Sequence, residues 1–177
     1  YPFVTSSSAT AGGASIGSGV PPHRLDDVVG VVKAYTTRVG EGPFPTELED
    51  ATGEALRKHG NEFGATTGRP RRCGWFDVVI ARYAAMVNGI DSWALTKLDV
   101  LDTFETIQVC VAYEVDGKRL SSVPSDINTL RRVQPVYETI AGWNTSTADV
   151  TCYEDLPEKA KAYLNRLIEL TGVPISI

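Results

Sequence analysis

Short apolar runs alternate along this chain with stretches whose apolar residues recur at helical spacing, the pattern of an α/β fold. Tyr1 to Val4 reads as a short strand and Thr5 to Gly19, rich in Ser, Thr, Gly and Ala, as a loop. Leu25, Val28, Val29 and Val32 fall at helical spacing, with Asp26 and Asp27 placed where negative charge suits a helix start. Ala34 to Val39 is β-prone and is broken by Gly40 to Pro45; Glu47 to His59 predicts a helix ended by Gly60. A further helix is predicted from Gly74 to Asn88, stopped by Gly89, and a buried strand from Trp93 to Leu98. Ile107, Val109, Val111 and Tyr113 alternate in a strand; Asp116-Gly117 turns the chain back through Lys118 to Val123. The last helix has Asp155 and Glu158 at capping-box spacing and an apolar face of Ala160, Tyr163, Leu164, Leu167 and Ile168; Gly172 and Pro174 end it. VPISI at the end is strand-like. The elements predict one α/β domain with a mixed, mostly parallel sheet flanked by helices. Both Tyr1 and Ile177 stand inside strand-like runs, so residues 1–177 read as a single partial domain.

Composition narrows the partners. The 177 residues suffice for one core, and 42% hydrophobic with 22% charged residues is ordinary for a globular chain. A net charge of -5 argues against bulk nucleic-acid binding. An RNA-binding reading of the arginines fails further because no aromatic platform accompanies them. No apolar run approaches the ~18 residues of a membrane span. Cys73, Cys110 and Cys152 are odd in number and far apart, which suits free thiols in a reducing compartment.

Three segments carry candidate chemistry. Gly64 to Arg72 reads GATTGRPRR. Its glycines admit close backbone approach, Thr66 and Thr67 supply hydroxyls, and Arg69 offers a planar fork that matches a carboxylate. Arg71 and Arg72 add charge; a solvated basic turn is the competing reading. Thr96 to Asp99 reads TKLD at the end of an apolar run. A carboxylate there can accept from guanine N1–H and the exocyclic amine, while a lysine stem covers the base face. A salt-bridged strand end is the plainer alternative. Thr5 to Ser8 with Thr10 to Gly13 could hold a phosphate, or form a polar surface loop. Gly12 and Gly17 have the outer spacing of a Walker A loop, but Ser18 stands where its lysine belongs, which excludes one here. His23 and His59 read as surface residues, and no cluster has metal-ligand spacing.

Taken together, YPFVTSSSATAGG, KAYTTRVGEGPFPTEL, GNEFGATTGRPRRCGW, LTKLDVLD, PVYETIAGW and ELTGVPI resemble, in order, blocks of the adenylosuccinate synthase family across essentially the whole chain. GRPRRCGW resembles plant versions, which does not fix a source; the family resemblance implies a cytoplasmic protein, or a plastid one if the source is a plant. It implies a homodimeric ligase with a P-loop-NTPase-like fold, incomplete in this chain. The implied reaction joins L-aspartate to IMP, with GTP as co-substrate and magnesium as cofactor, in purine biosynthesis. An aspartate base lets IMP O6 attack the γ-phosphate, and the amino group of aspartate then displaces that phosphate. The resemblance places Thr5, Val39 and Arg69 at IMP. It places Ala65, Thr66, Thr67, Gly68 and Arg69 at aspartate, and Arg71, Lys97, Leu98 and Asp99 at GTP.

The departures also matter. The family's phosphate loop, base aspartate, catalytic histidine and magnesium ligands match nothing in residues 1–177 and are expected upstream, in a protein of which this is the C-terminal portion. No catalytic residue and no metal ligand is therefore assigned within the chain, and the fragment alone is expected to be inactive. The alternative is a non-catalytic nucleotide-binding module that kept the purine surface without the phosphoryl-transfer site.

Overall fold

The structure, a computed structural model, describes residues 8–177. The strand expected at Tyr1 to Val4 lies outside the described residues, as does Thr5. The α/β architecture with mixed sheets holds, but the strands are divided among three sheets. Helix α1 (Ala11–Ser18) leads into β1 (Val29–Lys33), which runs parallel to β5 (Ser92–Thr96). β2 (Thr36–Arg38) pairs antiparallel with β3 (Arg72–Gly74). β4 (Phe76–Asp77) runs parallel to the long β6 (Thr106–Val115). On β6 pair antiparallel β7 (Lys118–Leu120) and β8 (Gln134–Ala141). Helices α2 (Ala51–His59), α3 (Val78–Asn88), the single turn α4 (Ile127–Leu130) and α5 (Glu158–Thr171) complete the fold.

Two expectations at the start of the chain are overturned. The Ser/Gly-rich segment is not all loop. Thr10 accepts from Gly13 N at 3.0 Å and Gly19 closes the C-terminus at φ 76°, so caps at both ends secure α1 despite its weak formers. The Thr10 hydroxyl, a candidate phosphate ligand by residue type, is this cap. The helix expected over Leu25 to Val32 is instead the strand β1. Its valines alternate: Val32 packs on the core while Val29 and Val31 face outward. Gly30 lies against the Trp93 ring and Ile90, where a Cβ has no room. A short valine run fits both periods, and pairing with β5 decides the contest.

Several boundaries also move. α2 starts at Asp50, whose carboxylate accepts from Thr52 N and Gly53 N at 3.0 Å; Glu47 is occupied earlier, bridging to β3. The helix expected from Gly74 begins only at Val78, because residues 72–77 are taken by two short strands and by the buried Trp75. Asp77 caps it through Val79 N and Ile80 N, and Gly89 stops it in the left-handed conformation. β5 ends at Thr96 rather than Leu98, since Lys97 turns left-handed (φ 63°) into a 3₁₀ turn over Leu98–Leu101. The Asp116-Gly117 turn forms as expected, both residues at positive φ. The capping box of α5 does not form. Pro157 occupies the cap position without a side-chain bond, Asp155 belongs to a preceding 3₁₀ turn, and Glu158 pairs with Lys161 at 2.9 Å.

The apolar face of α5 packs as expected except for Ile168, which stays half-buried outside the core cluster. Ala160, Tyr163, Leu164 and Leu167 join Leu56, Trp75, Trp93, Leu101 and Trp143 in the main core. Tyr163 is fully buried and donates to Ala34 O at 2.6 Å, tying α5 to the end of β1. The VPISI run lies beside β5, with Trp93 N on Pro174 O at 2.8 Å and Leu95 N on Ile177 O at 2.7 Å. β5 is thereby flanked on both sides. No helix among the described residues is long and apolar enough to cross a membrane.

Candidate functional site

The parallel pair β1 and β5 ends in register, Lys33 opposite Thr96, with Ala34 N on Thr96 O at 2.9 Å. The segments that leave the two strands therefore emerge at one carboxyl edge, where open α/β sheets place ligands. From β5 this is the Lys97–Asp99 turn. The left-handed backbone at Lys97, costing about 1–3 kcal/mol for a side-chain-bearing residue, is held by its own ammonium, which donates to Gly60 O at 2.8 Å. Gly60 is the C-cap of α2, so the Lys97–Asp99 turn is fastened to the end of that helix.

Two residues beyond Gly60 stands Glu62, fully buried. Its carboxylate accepts from Lys33 Nζ at 2.7 Å, Tyr35 Oη at 2.5 Å and Arg71 Nη1 at 2.7 Å. Burial pushes its acidity one way, but the bonds from Lys33, Tyr35 and Arg71 prevail and hold its pKa down to about 2. Burial and the neighbouring carboxylate drive the Tyr35 phenol far above its ordinary range, so it stays a donor. One carboxylate against an ammonium and a guanidinium leaves the cluster one positive charge in excess.

The Gly64–Arg69 loop springs from this cluster. Arg71 N bonds Glu62 O at 2.9 Å, Phe63 bridges Pro70, and Gly64 N bonds Arg69 O at 2.8 Å. Gly68 (φ 62°) closes the tip on Gly64 O at 2.8 Å, a conformation that suits glycine. Ala65, Thr66, Thr67, Gly68 and Arg69 are all exposed. Among the described residues the Arg69 guanidinium has no carboxylate partner. Val39 follows the last pair of the β2–β3 ladder, Arg38 opposite Arg72, on the side toward Arg71; its side chain points to solvent. Arg72 is committed elsewhere: it pairs with Glu47 and donates to Gly40 O and Gly42 O. It is a structural brace, not a free cation.

Lys97, Leu98 and Asp99 form one wall of a cleft of about 700 Å³. A second lining segment comes from the stretch between Thr147 and Tyr153, with Leu156, Leu164 and Ile175 supplying apolar lining. Asp99 is exposed at its edge and also borders a second cleft, with His59, Asp102 and Asn144. Arg69 is not part of the lining of the larger cleft. The structure thus roots the Ala65–Arg69 loop and Arg71 at Glu62, leaves Val39 exposed just past the β2–β3 ladder, and ties Lys97 to Gly60, two residues before Glu62. His59 and His23 are exposed, as expected; among the described residues His59 meets Thr103 Oγ1 (3.4 Å) and lies edge-to-face with the Phe104 ring. The cysteines are free thiols, two buried and Cys152 exposed in the cleft.

Sequence reasoning misses Glu62, Lys33, Tyr35, Asp102 and the whole Thr147–Tyr153 wall. Glu62 follows a helix among other charges and carries no local mark of burial. Asp102 repeats the Leu-Asp of Asp99 three residues on, a weak signal available in LDVLD.

The sequence profile described as adenylosuccinate synthetase matches residues 1–177. The chain is 58% identical over all its residues to adenylosuccinate synthetase from Magnetococcus marinus, covering 41% of that protein. It is 61% identical to the one from Synechococcus sp. RCC307, covering 40% of it. The fold superposes with a TM-score of 0.93, at 43% identity, on a structure described as fully ligated adenylosuccinate synthetase from Plasmodium falciparum; 99% of this chain and 42% of that one are covered. The chain therefore spans about two-fifths of the length of the relatives it matches. Across its whole length, it belongs to the adenylosuccinate synthetase family.

Proposed function

We propose that this chain supplies the aspartate-, IMP- and guanine-contacting segments of a GTP-dependent ligase that converts IMP and L-aspartate to adenylosuccinate, GDP and phosphate. The observation that carries the reading is the coupling of two loops at one sheet edge. Lys97 bonds Gly60, and two residues later Glu62 anchors the Arg69 loop. In this reading Asp99 accepts from guanine N1–H and the exocyclic amine, and Leu98 packs beside the base. Arg69 grips a carboxylate of aspartate and reaches IMP, with Thr66 and Thr67 beside it. Arg71, oriented by Glu62, faces the GTP phosphates, where the cluster's excess positive charge favours an anion. Val39 offers backbone to the IMP ribose. Thr5, assigned to the IMP phosphate, lies outside the described residues.

The reaction runs in two steps. Deprotonated IMP attacks through O6, forming an O–P bond as the γ-phosphate leaves GDP. The aspartate amine then attacks C6, a C–N bond forms, and the C–O bond breaks with release of phosphate. The base, the phosphate loop and the magnesium ligands are assigned to parts of the protein outside residues 1–177. A homodimer is part of the same proposal.

The test is a coupled absorbance assay on the full-length protein containing this chain. Adenylosuccinate formation that requires IMP, aspartate and GTP together is the expected result. Calorimetric binding of GTP and IMP without turnover would replace the proposal by a non-catalytic nucleotide-binding module.

A further inference from the structure

We propose that Asp102 is a positioning residue that latches the second wall of the base cleft and so sets affinity for the guanine nucleotide. The inference rests on the assignment of Asp99 as the base reader.

Asp102 closes the 3₁₀ turn that carries Asp99, and its amide donates to Asp99 O at 3.1 Å. The base-reading acid and Asp102 therefore belong to one short turn. The Asp102 carboxylate has no cationic partner among the described residues. It spends its acceptors on a segment more than forty residues away. Trp143 Nε1 donates to Oδ1 at 2.6 Å, Thr147 Oγ1 to Oδ1 at 2.8 Å, and Thr147 N to Oδ2 at 2.7 Å. Both donor residues are buried, Trp143 within the main core.

Thr147 is where this second lining segment, the second wall of the cleft, begins. Val150 N returns to Thr147 O at 3.2 Å, and Ala148, Val150, Thr151 and Tyr153 face the cleft opened by Lys97, Leu98 and Asp99. The spacing of the walls is thus set by a charged acceptor on one gripping a backbone amide and a hydroxyl on the other. Such bonds are short, directional and stronger than neutral ones. A planar base slotted between the walls needs that spacing held before it arrives; a loose wall charges the ordering cost to binding. Asp102 need not touch the nucleotide to do this.

The experiment compares Asp102→Asn, Thr147→Val and Asp99→Asn in the full-length protein. It measures GTP affinity with a fluorescent GTP analogue, KM for each substrate, and thermal melting. In Asp102→Asn one carboxylate oxygen becomes an amide donor that cannot accept from the Thr147 N–H or indole. GTP affinity is expected to fall about tenfold or more, the scale of losing charge-assisted bonds, with the KM for aspartate unchanged. Thr147→Val keeps the backbone bond and loses only the hydroxyl, so a smaller loss confined to GTP is expected. Unchanged GTP affinity in a folded Asp102→Asn protein, or equal losses for GTP and aspartate, would overturn the latch. If Asp102→Asn fails to fold, Thr147→Val decides, and GTP affinity equal to wild type would refute it. Asp99→Asn separates the two layers. Indifference to Asp99 undermines the base-site assignment itself, whereas a strong Asp99 effect beside an inert Asp102 sinks the latch alone.

Discussion

Arg71 donates from Nη1 to Glu62 Oε2 across 2.7 Å, and the carboxylate that receives it has no exposure to solvent. This pair joins the end of α2, the root of the Arg69 loop and, through Lys33, the end of β1. Glu62→Gln would leave two cations sharing a neutral amide. Breaking a buried pair costs about 3–5 kcal/mol; the lower end, about 3 kcal/mol, applies because Lys33 and Arg71 each keep roughly a third of their side chain in water. A lowered melting temperature is expected, together with weaker use of both aspartate and GTP. Unaltered melting and kinetics would remove Glu62 from the site's support.

Two buried carboxylates give opposite pH dependences. Glu62, held at about 2 against an ordinary 4.5, contributes stability that is present above the unfolded value and lost as pH falls toward 2. Asp77 is raised to about 6 from 3.8, chiefly by burial, against the opposing bonds from Tyr113 and the Ile80 and Val79 amides. Its native state holds the proton more tightly, so its share of stability is full below 3.8 and lost as pH rises through 6. Asp77→Asn keeps an oxygen to cap α3 and removes the ionisation. The slope of stability between about pH 4 and 6, followed by denaturant melts, is expected to flatten in this variant. An unchanged slope would show that Asp77 does not titrate there.

Gly30 packs where a Cβ would meet the Trp93 ring and Ile90. Gly30→Ala is expected to cost about 1–3 kcal/mol through overpacking, seen as a lower melting temperature. A neutral result would mean that the β1–β5 pair has slack beneath it.

Arg69→Leu should lower kcat/KM for aspartate with little change in stability, since Arg69 is exposed and pairs with no carboxylate among the described residues. Truncating one partner of a desolvated charge pair costs about 2–5 kcal/mol, and the loss is expected on that scale once the loop closes on substrate. Initial rates against aspartate concentration check it; an unchanged KM and turnover would contradict the carboxylate role.

The sequence announces what depends on local chemistry and hides what depends on burial. Asp116-Gly117, Gly89 and Gly172 each stop or turn an element by backbone conformation alone, and each does so where the sequence predicts. The Arg69 loop and the Lys97–Asp99 turn stand out in the sequence as candidates because their residue types suit an anion and a base. β1 escapes a local reading because Leu25, Val28, Val29 and Val32 satisfy helical spacing, while its strand partner lies some sixty residues away. The α5 capping box fails because Pro157 already fixes the entry to the helix. Glu62 and Asp102 are invisible for the same kind of reason. Their importance lies in which distant donors surround them, and a single sequence does not carry that.

The central claim is that the acid on the turn after β5 reads a guanine edge. The most direct measurement is the ratio of kcat/KM for GTP over ITP, which lacks the exocyclic amine, in the full-length protein and in its D99N variant. A clear GTP preference that collapses in the variant is the predicted result; a preference that survives D99N intact would contradict the assignment.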